Sequence, residues 1–353
     1  MPDKKDYIWG KRKNKLPLII IIVVVAILAV ALLGYLFLGQ NTNKNTSLVN
    51  TTGDHSEQVE RKIDGVSVPA DQANIYPVAV MIENLVSSRP QAGLSEANLV
   101  YEALAEGGIT RFMAVYAASG AIPKIGPVRS ARSYYLDWAK ELNTLYAHIG
   151  GSPQSFNLIK QYKILDLDQF FNAQYFWRNK DRPAPHNLYT SSELLAYALR
   201  DKQLAKEGNF ESWLFKDDKN KETLPTEEKN IIIDFSSFNY KVEYKYDLAN
   251  NEYIRNQAGQ AHQDEEGHQI KAKNVIVQYL KTSLVDKERL GMETIGEGEA
   301  IVFQDGQGIK GTWKKESRES RTEFFDSDGN KIKLNRGTTW IEIVPSGRIV
   351  NYN

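Results

Sequence analysis

The side chains best equipped for chemistry are six arginines between residues 76 and 190: Arg89, Arg111, Arg129, Arg132, Arg178 and Arg182. Arg129 and Arg132 flank Ser130 in the stretch KIGPVRSAR (124–132). Behind them Ala131, Tyr135, Trp138, Leu142 and Leu145 recur at helical spacing, which predicts a helix opening near Ser130 as its N-cap. Cations in a first helical turn oppose the positive end of the macrodipole, at about 0.3–1 kcal/mol each. Guanidinium forks beside free backbone N–H groups bind phosphate or carboxylate well. The pattern therefore points to an anion at this place, supplied either by a ligand or by a neighbouring glutamate.

The remaining candidate contacts lie in the connections. They are Arg89 before Pro90-Gln91, Glu106-Gly107-Gly108 with Arg111, His148 before Gly150-Gly151-Ser152, and Arg178, Arg182 and His186 in RNKDRPAPHN (178–187). Glu83, Glu102 and Glu106 suit acid–base work or pairing with the arginines. The candidate ligand-binding set is Arg89, Arg111, Arg129, Arg132, Arg178, Arg182, His148, His186, Glu102, Glu106, Ser130 and Ser152, with no catalytic residue singled out. Walker, G-x-G-x-x-G, H-E-x-x-H and G-x-S-x-G patterns are absent. No cofactor or metal is expected: His262, Asp264 and His268 read as a solvated loop rather than a metal site. Lys+Arg and Asp+Glu both number 44, so the charge balance predicts no nucleic-acid partner and favours a discrete pocket over a basic surface.

These connections need elements to hold them. Short apolar runs at 76–82, 99–104 and 109–117 read as buried strands, the last two divided by the Glu106-Gly107-Gly108 turn. Ser152-Pro153 announces a second helix, and the capping pattern Thr190-Ser191-Ser192-Glu193 a third. Strands alternating with helices predict a layered α/β domain over 66–205. After a charged connector at 206–229 the period changes to two. Segments 230–235, 240–247, 252–255, 275–280, 300–303, 322–325 and 339–344 read as strands, with Asp305-Gly306 and Asp328-Gly329 as hairpin turns. This predicts a mostly antiparallel β domain over 230–353.

Residues 16–38 carry no charge and would span about 34 Å as a helix, enough for a bilayer core. The preceding tail (1–15) holds Lys4, Lys5, Lys11, Arg12, Lys13 and Lys15. The positive-inside rule then places a single transmembrane helix at 16–38, with everything beyond it extracellular. Residues 39–65, polar and poor in large apolar side chains, read as a flexible linker. The sequence has no cysteine, which removes disulfides and thiol-linked lipid anchors.

Several stretches together resemble the YerB-like lipoprotein family of Gram-positive bacteria, a family of unknown function: PVAVMIEN (77–84), RPQAGLSEANLVYEALAEGGITRF (89–112), KIGPVRSAR (124–132), HIGGSP (148–153), RPAPHNLYTS (182–191), KNVIVQY (273–279), GTWKK (311–315) and GTTWIEIVP (337–345). The resemblance implies a cell-envelope location and a two-part ectodomain, but no catalytic residues. Lacking the family's lipid-bearing cysteine, this chain would rely on its apolar segment for anchoring. A looser likeness, by analogy alone, is to LytR–CpsA–Psr proteins, which transfer phosphate-linked glycopolymers. The leading expectation is a membrane-anchored envelope protein that binds an anionic ligand (a phosphorylated lipid, glycan or glycopolymer) through an Arg-lined pocket. The alternatives are a noncatalytic scaffold that docks envelope proteins and a phosphoglycopolymer transferase.

Overall fold

The computed structural model describes residues 57–353 except 205, 228 and 288. The expected cytoplasmic tail, the apolar run at 16–38 and most of the linker lie outside the described residues. Among the described residues, no helix is long and apolar enough to cross a membrane.

The chain is β-rich with few helices. In order, the strands that matter are β1 (Val78–Glu83), β2 (Leu99–Leu104), β3 (Thr110–Tyr116), β4 (Leu145–His148), β5 (Leu165–Asp168), β6 (Asn230–Asp234), β7 (Lys241–Asp247) and β8 (Glu252–Gln257). They continue as β9 (Asn274–Leu280), β10 (Gly296–Gln304), β11 (Gln307–Lys315), β12 (Glu323–Asp326), β13 (Thr339–Pro345) and β14 (Val350–Tyr352). Ten of these form one mixed sheet in the order β12-β11-β10-β9-β13-β2-β3-β1-β4-β5. A second, antiparallel sheet is built on β8-β7-β6-β14.

The central strands read as near-continuous apolar runs because both sheet faces are covered. Val78, Val80 and Ile82 of β1 join one hydrophobic cluster, whereas Ala79 and Met81 join the other. The second sheet closes the first face. Its strands alternate, with Val242, Tyr244 and Tyr246 inward and Lys241, Glu243 and Lys245 away from the core, as expected for a sheet solvated on one side. Helix α1 (Tyr135–Glu141) covers the opposite face with Tyr135 and Trp138, and Trp138 stacks on Tyr101 at 5.1 Å. Helix α2 (Pro153–Gln161) adds Ile159 to that face, while α3 (Ser192–Asp201) packs Leu195 and Ala198 on the first.

Two expectations are corrected here. The α/β and β segments do not each close a sheet of their own. Strand β13 pairs in parallel with β2, from Thr339 opposite Leu99 to Ile343 opposite Ala103, so one sheet runs through both. Ser56–Asn353 is one compact unit, and among the described residues its two buried clusters draw members from Ile63 to Val350. The connector is tied in as well, because Phe215–Lys216 pairs with Leu334–Asn335.

The first helix also starts later than Ser130. Residues 125–131 run extended, bridging to Thr190, Ala92, Ile82 and Gly151. Their backbone N–H groups are already committed, Val128 donating to the Leu188 carbonyl and Arg129 to that of Met81. A segment bonded laterally cannot form helical i→i−4 bonds, so Ser130 caps nothing and Arg129 and Arg132 do not sit in the first turn of a helix. By contrast Ser152 accepts from the Ser155 N–H at 3.1 Å, capping α2 with Pro153 at its first position as expected. Ser191 caps α3 in the same way, through the Leu194 N–H.

Candidate functional site

The extended 125–131 segment and the Gly150–Pro153 loop meet where Ala131 bridges Gly151. Gly150 adopts a left-handed conformation (φ 59°) that lets the chain turn from β4 into α2. Between these segments, the Glu106 turn and the tip of a hairpin (Thr282–Leu284 with Leu290–Met292) lies an open cleft of about 730 Å³. Glu106, Ser130, Arg132, Gly151, Ser152 and Pro153 line it from one side, and Asp286, Lys287 and Arg289 from the other. The positive end of the nine-residue α2 opens here too.

The cleft's charges are partly matched internally. Arg132 pairs through Nε with Glu106 and donates through Nη1 to its neighbour's carbonyl, that of Ala131, at 2.6 Å. Its Nη2 has no hydrogen-bond partner among the described residues. Burial alone would raise the Glu106 carboxyl, but the hydrogen bond and charge of Arg132, backed by Arg111, outweigh it and hold the group below its ordinary range. Arg289 donates to Asp286 at 2.6 Å. Three cations against two acids, at a helix N-terminus, give the cleft a positive bias.

Arg111 lies behind this wall, on β3. Its Nη1 donates to the Ser130 carbonyl at 3.0 Å, and Nη2 stands 3.7 Å from Glu106. Burial, then the nearby Arg132, lowers its pKa below the usual guanidinium value. It positions the cleft from inside rather than lining it. Arg129 turns the other way and pairs with the buried Glu83, whose carboxylate also accepts from the Asn84 and Leu85 N–H groups. His186 Nδ1 sits 3.8 Å from the same carboxylate, and burial, opposed by Glu83, lowers its pKa.

The other predicted residues serve the scaffold. Both ring nitrogens of the fully buried His148 are engaged, by the Gly150 carbonyl at 2.8 Å and Asp166 at 2.7 Å. Arg89 donates to Asn84 and to the Asn239 carbonyl, Arg182 to the Ser88 and Pro90 carbonyls, and Arg178 to Asn187. Of the twelve candidates, Glu106, Ser130, Arg132 and Ser152 come together in the cleft.

Glu102 belongs to a different constellation. It pairs with Arg255, which reaches from β8 across both sheets and packs over Trp340 at 4.6 Å. Tyr244, Glu342 and His262 complete this buried network. His262 Nε2 faces Gln91 Oε1 at 3.2 Å, an oxygen left as acceptor because Gln91 Nε2 donates to Glu83 and Asn84. Nδ1 then accepts from Arg255, and burial beside that cation drives the His262 pKa well below its ordinary value. Among the described residues no group of three acidic, histidine or cysteine side chains could hold a metal. Sequence reasoning missed this network, though lone charges inside the apolar runs LVYEAL and TWIEIVP, and Arg255 on the inward phase of β8, were its signals. The hairpin-tip contributors to the cleft carried none.

Two family models match the chain, the N-terminal domain of a protein of unknown function (DUF3048) over residues 64–205 and the C-terminal domain of the same family over 231–341. The chain belongs to the DUF3048 family. It is 30% identical over 299 residues to YerB of Bacillus subtilis (strain 168), described as a candidate lipoprotein, covering 83% of this chain and 88% of YerB. A crystal structure of B. subtilis YerB superposes with a TM-score of 0.76 at 28% identity, covering 84% of this chain and 100% of that one. The family's two matched parts therefore share the single ten-stranded sheet found here. The crystallised YerB chain also holds this fold without a counterpart to the remainder of the present chain.

Proposed function

We propose that the protein is a membrane-tethered envelope protein that takes an anionic, phosphate-bearing ligand in the cleft between Ser130–Arg132, Gly151–Pro153 and the hairpin tip. The observation that carries this reading is the convergence of Arg132, Lys287 and Arg289 at the open N-terminal end of α2, against Glu106 and Asp286 among the described lining residues. The tether is the uncharged run at 16–38 behind its lysine-rich flank. A candidate lipoprotein among the relatives supports an envelope location, and a chain without cysteine needs another means of attachment.

Titrating inorganic pyrophosphate into the protein, followed by calorimetry and by melting temperature, tests the reading. Binding that weakens with added salt and with Lys287→Glu is expected. Absence of binding at low salt would overturn it. The internal pairing of Arg129 with Glu83 and Arg132 with Glu106 favours a second reading, a noncatalytic scaffold, which that null result would leave in place.

A further inference from the structure

Four of the ten exposed large apolar side chains among the described residues lie in two loops that adjoin residues lining this cleft. Phe170 and Phe171, 66% and 84% exposed, follow β5 in a turn fastened by Asp168, which accepts from both the Phe170 and Gly150 N–H groups. A Cβ added at Gly150 would stand 3.1 Å from the Phe170 ring, so the phenylalanine loop lies against the Gly150–Pro153 wall. On the other wall, Leu284 and Val285, 71% and 50% exposed, run directly into Asp286 and Lys287. Two apolar loops thus flank a cationic cleft.

We infer that this rim docks the protein onto an anionic bilayer surface, the four apolar side chains entering between headgroups while the cleft receives a headgroup phosphate. The inference rests on the anionic-ligand reading for the cleft's charge, but its apolar rim is an independent observation. Exposed aromatic and aliphatic side chains beside lysine and arginine are the composition that binds membrane interfaces. The reach of the chain suits this occupant. If 16–38 is the anchor, residues 39–56 can extend at most about 60 Å, which keeps the compact unit within reach of a bilayer and lets a weak interfacial affinity suffice.

The test uses the compact unit Ser56–Asn353, in which both buried clusters of the described residues lie, in sedimentation with phosphatidylglycerol or phosphatidylcholine vesicles. Preferential binding to phosphatidylglycerol is expected. Phe170→Ser with Phe171→Ser, and separately Leu284→Ser with Val285→Ser, should each weaken it about tenfold or more. Neither pair should alter the melting temperature or pyrophosphate binding. Parent and variants binding phosphatidylglycerol alike would overturn the inference, as would no vesicle binding by a parent that binds pyrophosphate. Self-association through these residues in place of vesicle binding would make the rim a protein interface and overturn it equally. Apolar-dependent vesicle binding without pyrophosphate binding would uphold the rim and overturn the anion reading of the cleft.

Discussion

Glu102 and Glu342 stand directly opposite each other across β2 and β13, the strand pair that joins the two matched parts of the family into one sheet, and both are fully buried. Two carboxylates so placed cannot both ionise cheaply. Arg255 contacts Glu102 directly, while its Nε stays 3.8 Å from Glu342. Burial, then the charge of Glu102, raises the Glu342 pKa well above the usual range, which favours its protonated form.

The two glutamates should therefore respond in opposite ways to amide replacement. Glu342→Gln copies the protonated carboxyl and keeps an oxygen for the Tyr244 hydroxyl. A carboxyl raised on folding contributes stability fully at pH below its unfolded value and loses it as pH rises toward the folded one. Denaturation at pH 8 should accordingly show Glu342→Gln as stable as the parent or more so. Glu102→Gln leaves Arg255 without its counter-charge and should cost roughly 3–5 kcal/mol. Equal losses in both would refute the placing of the proton on Glu342.

Glu141 of α1 should set the acid limit. Its carboxylate accepts from Lys315 Nζ at 2.7 Å, from the Thr322 N–H and hydroxyl, and from Tyr101 at 2.6 Å, with Arg321 alongside. Burial would raise its pKa, but Lys315 and Arg321 outweigh that and hold it at about 2 against an ordinary 4.5. Its stabilisation is complete above pH 4.5 and disappears as pH falls from there toward 2, roughly 3 kcal/mol in all. Melting curves across that window should show the decline, and Glu141→Gln, less stable at pH 7, should flatten it.

The shared sheet bears on how the chain can be divided. A fragment of residues 66–205 would expose the edge of β2 that β13 covers, together with the apolar face that the second sheet covers. Such a fragment should be insoluble or molten alone, by circular dichroism and chromatography, and should recover structure when expressed with residues 206–353. A well-folded monomeric fragment would show that the α/β part closes without its partner strands.

What was legible in the sequence was local. Apolar runs marked β1 to β3, alternation marked β6 to β8, and Ser152-Pro153 marked a helix start, because each is decided by neighbours within a few residues. The Ser130 helix was not legible. Its periodic residues Tyr135 and Trp138 do lie on a helix, but the stretch before them bonds to Met81 and Leu188, partners set by tertiary packing. The same holds for Arg129, whose spacing from Arg132 suggested one site. Extended backbone sends them to different glutamates, Glu83 and Glu106.

That division makes the two arginines separable by experiment. Glu83 is buried and Arg129 is its cationic partner, so Arg129→Ala should strand a desolvated carboxylate and lower stability by roughly 1–3 kcal/mol, tempered by the backbone N–H groups Glu83 retains. Arg129→Lys should recover part of that loss, since the charge returns without the planar guanidinium. Glu106 is more open than Glu83, its side chain 26% exposed against 3%, and it keeps Arg111 at 3.7 Å, so losing Arg132 strands no buried carboxylate. Arg132→Ala should therefore leave the melting temperature nearly unchanged while weakening pyrophosphate binding in the cleft by about 1.5–3 kcal/mol. Comparing melting and calorimetry for the three variants checks this. Strong destabilisation by Arg132→Ala with no loss of binding would reduce both arginines to structural ion pairs.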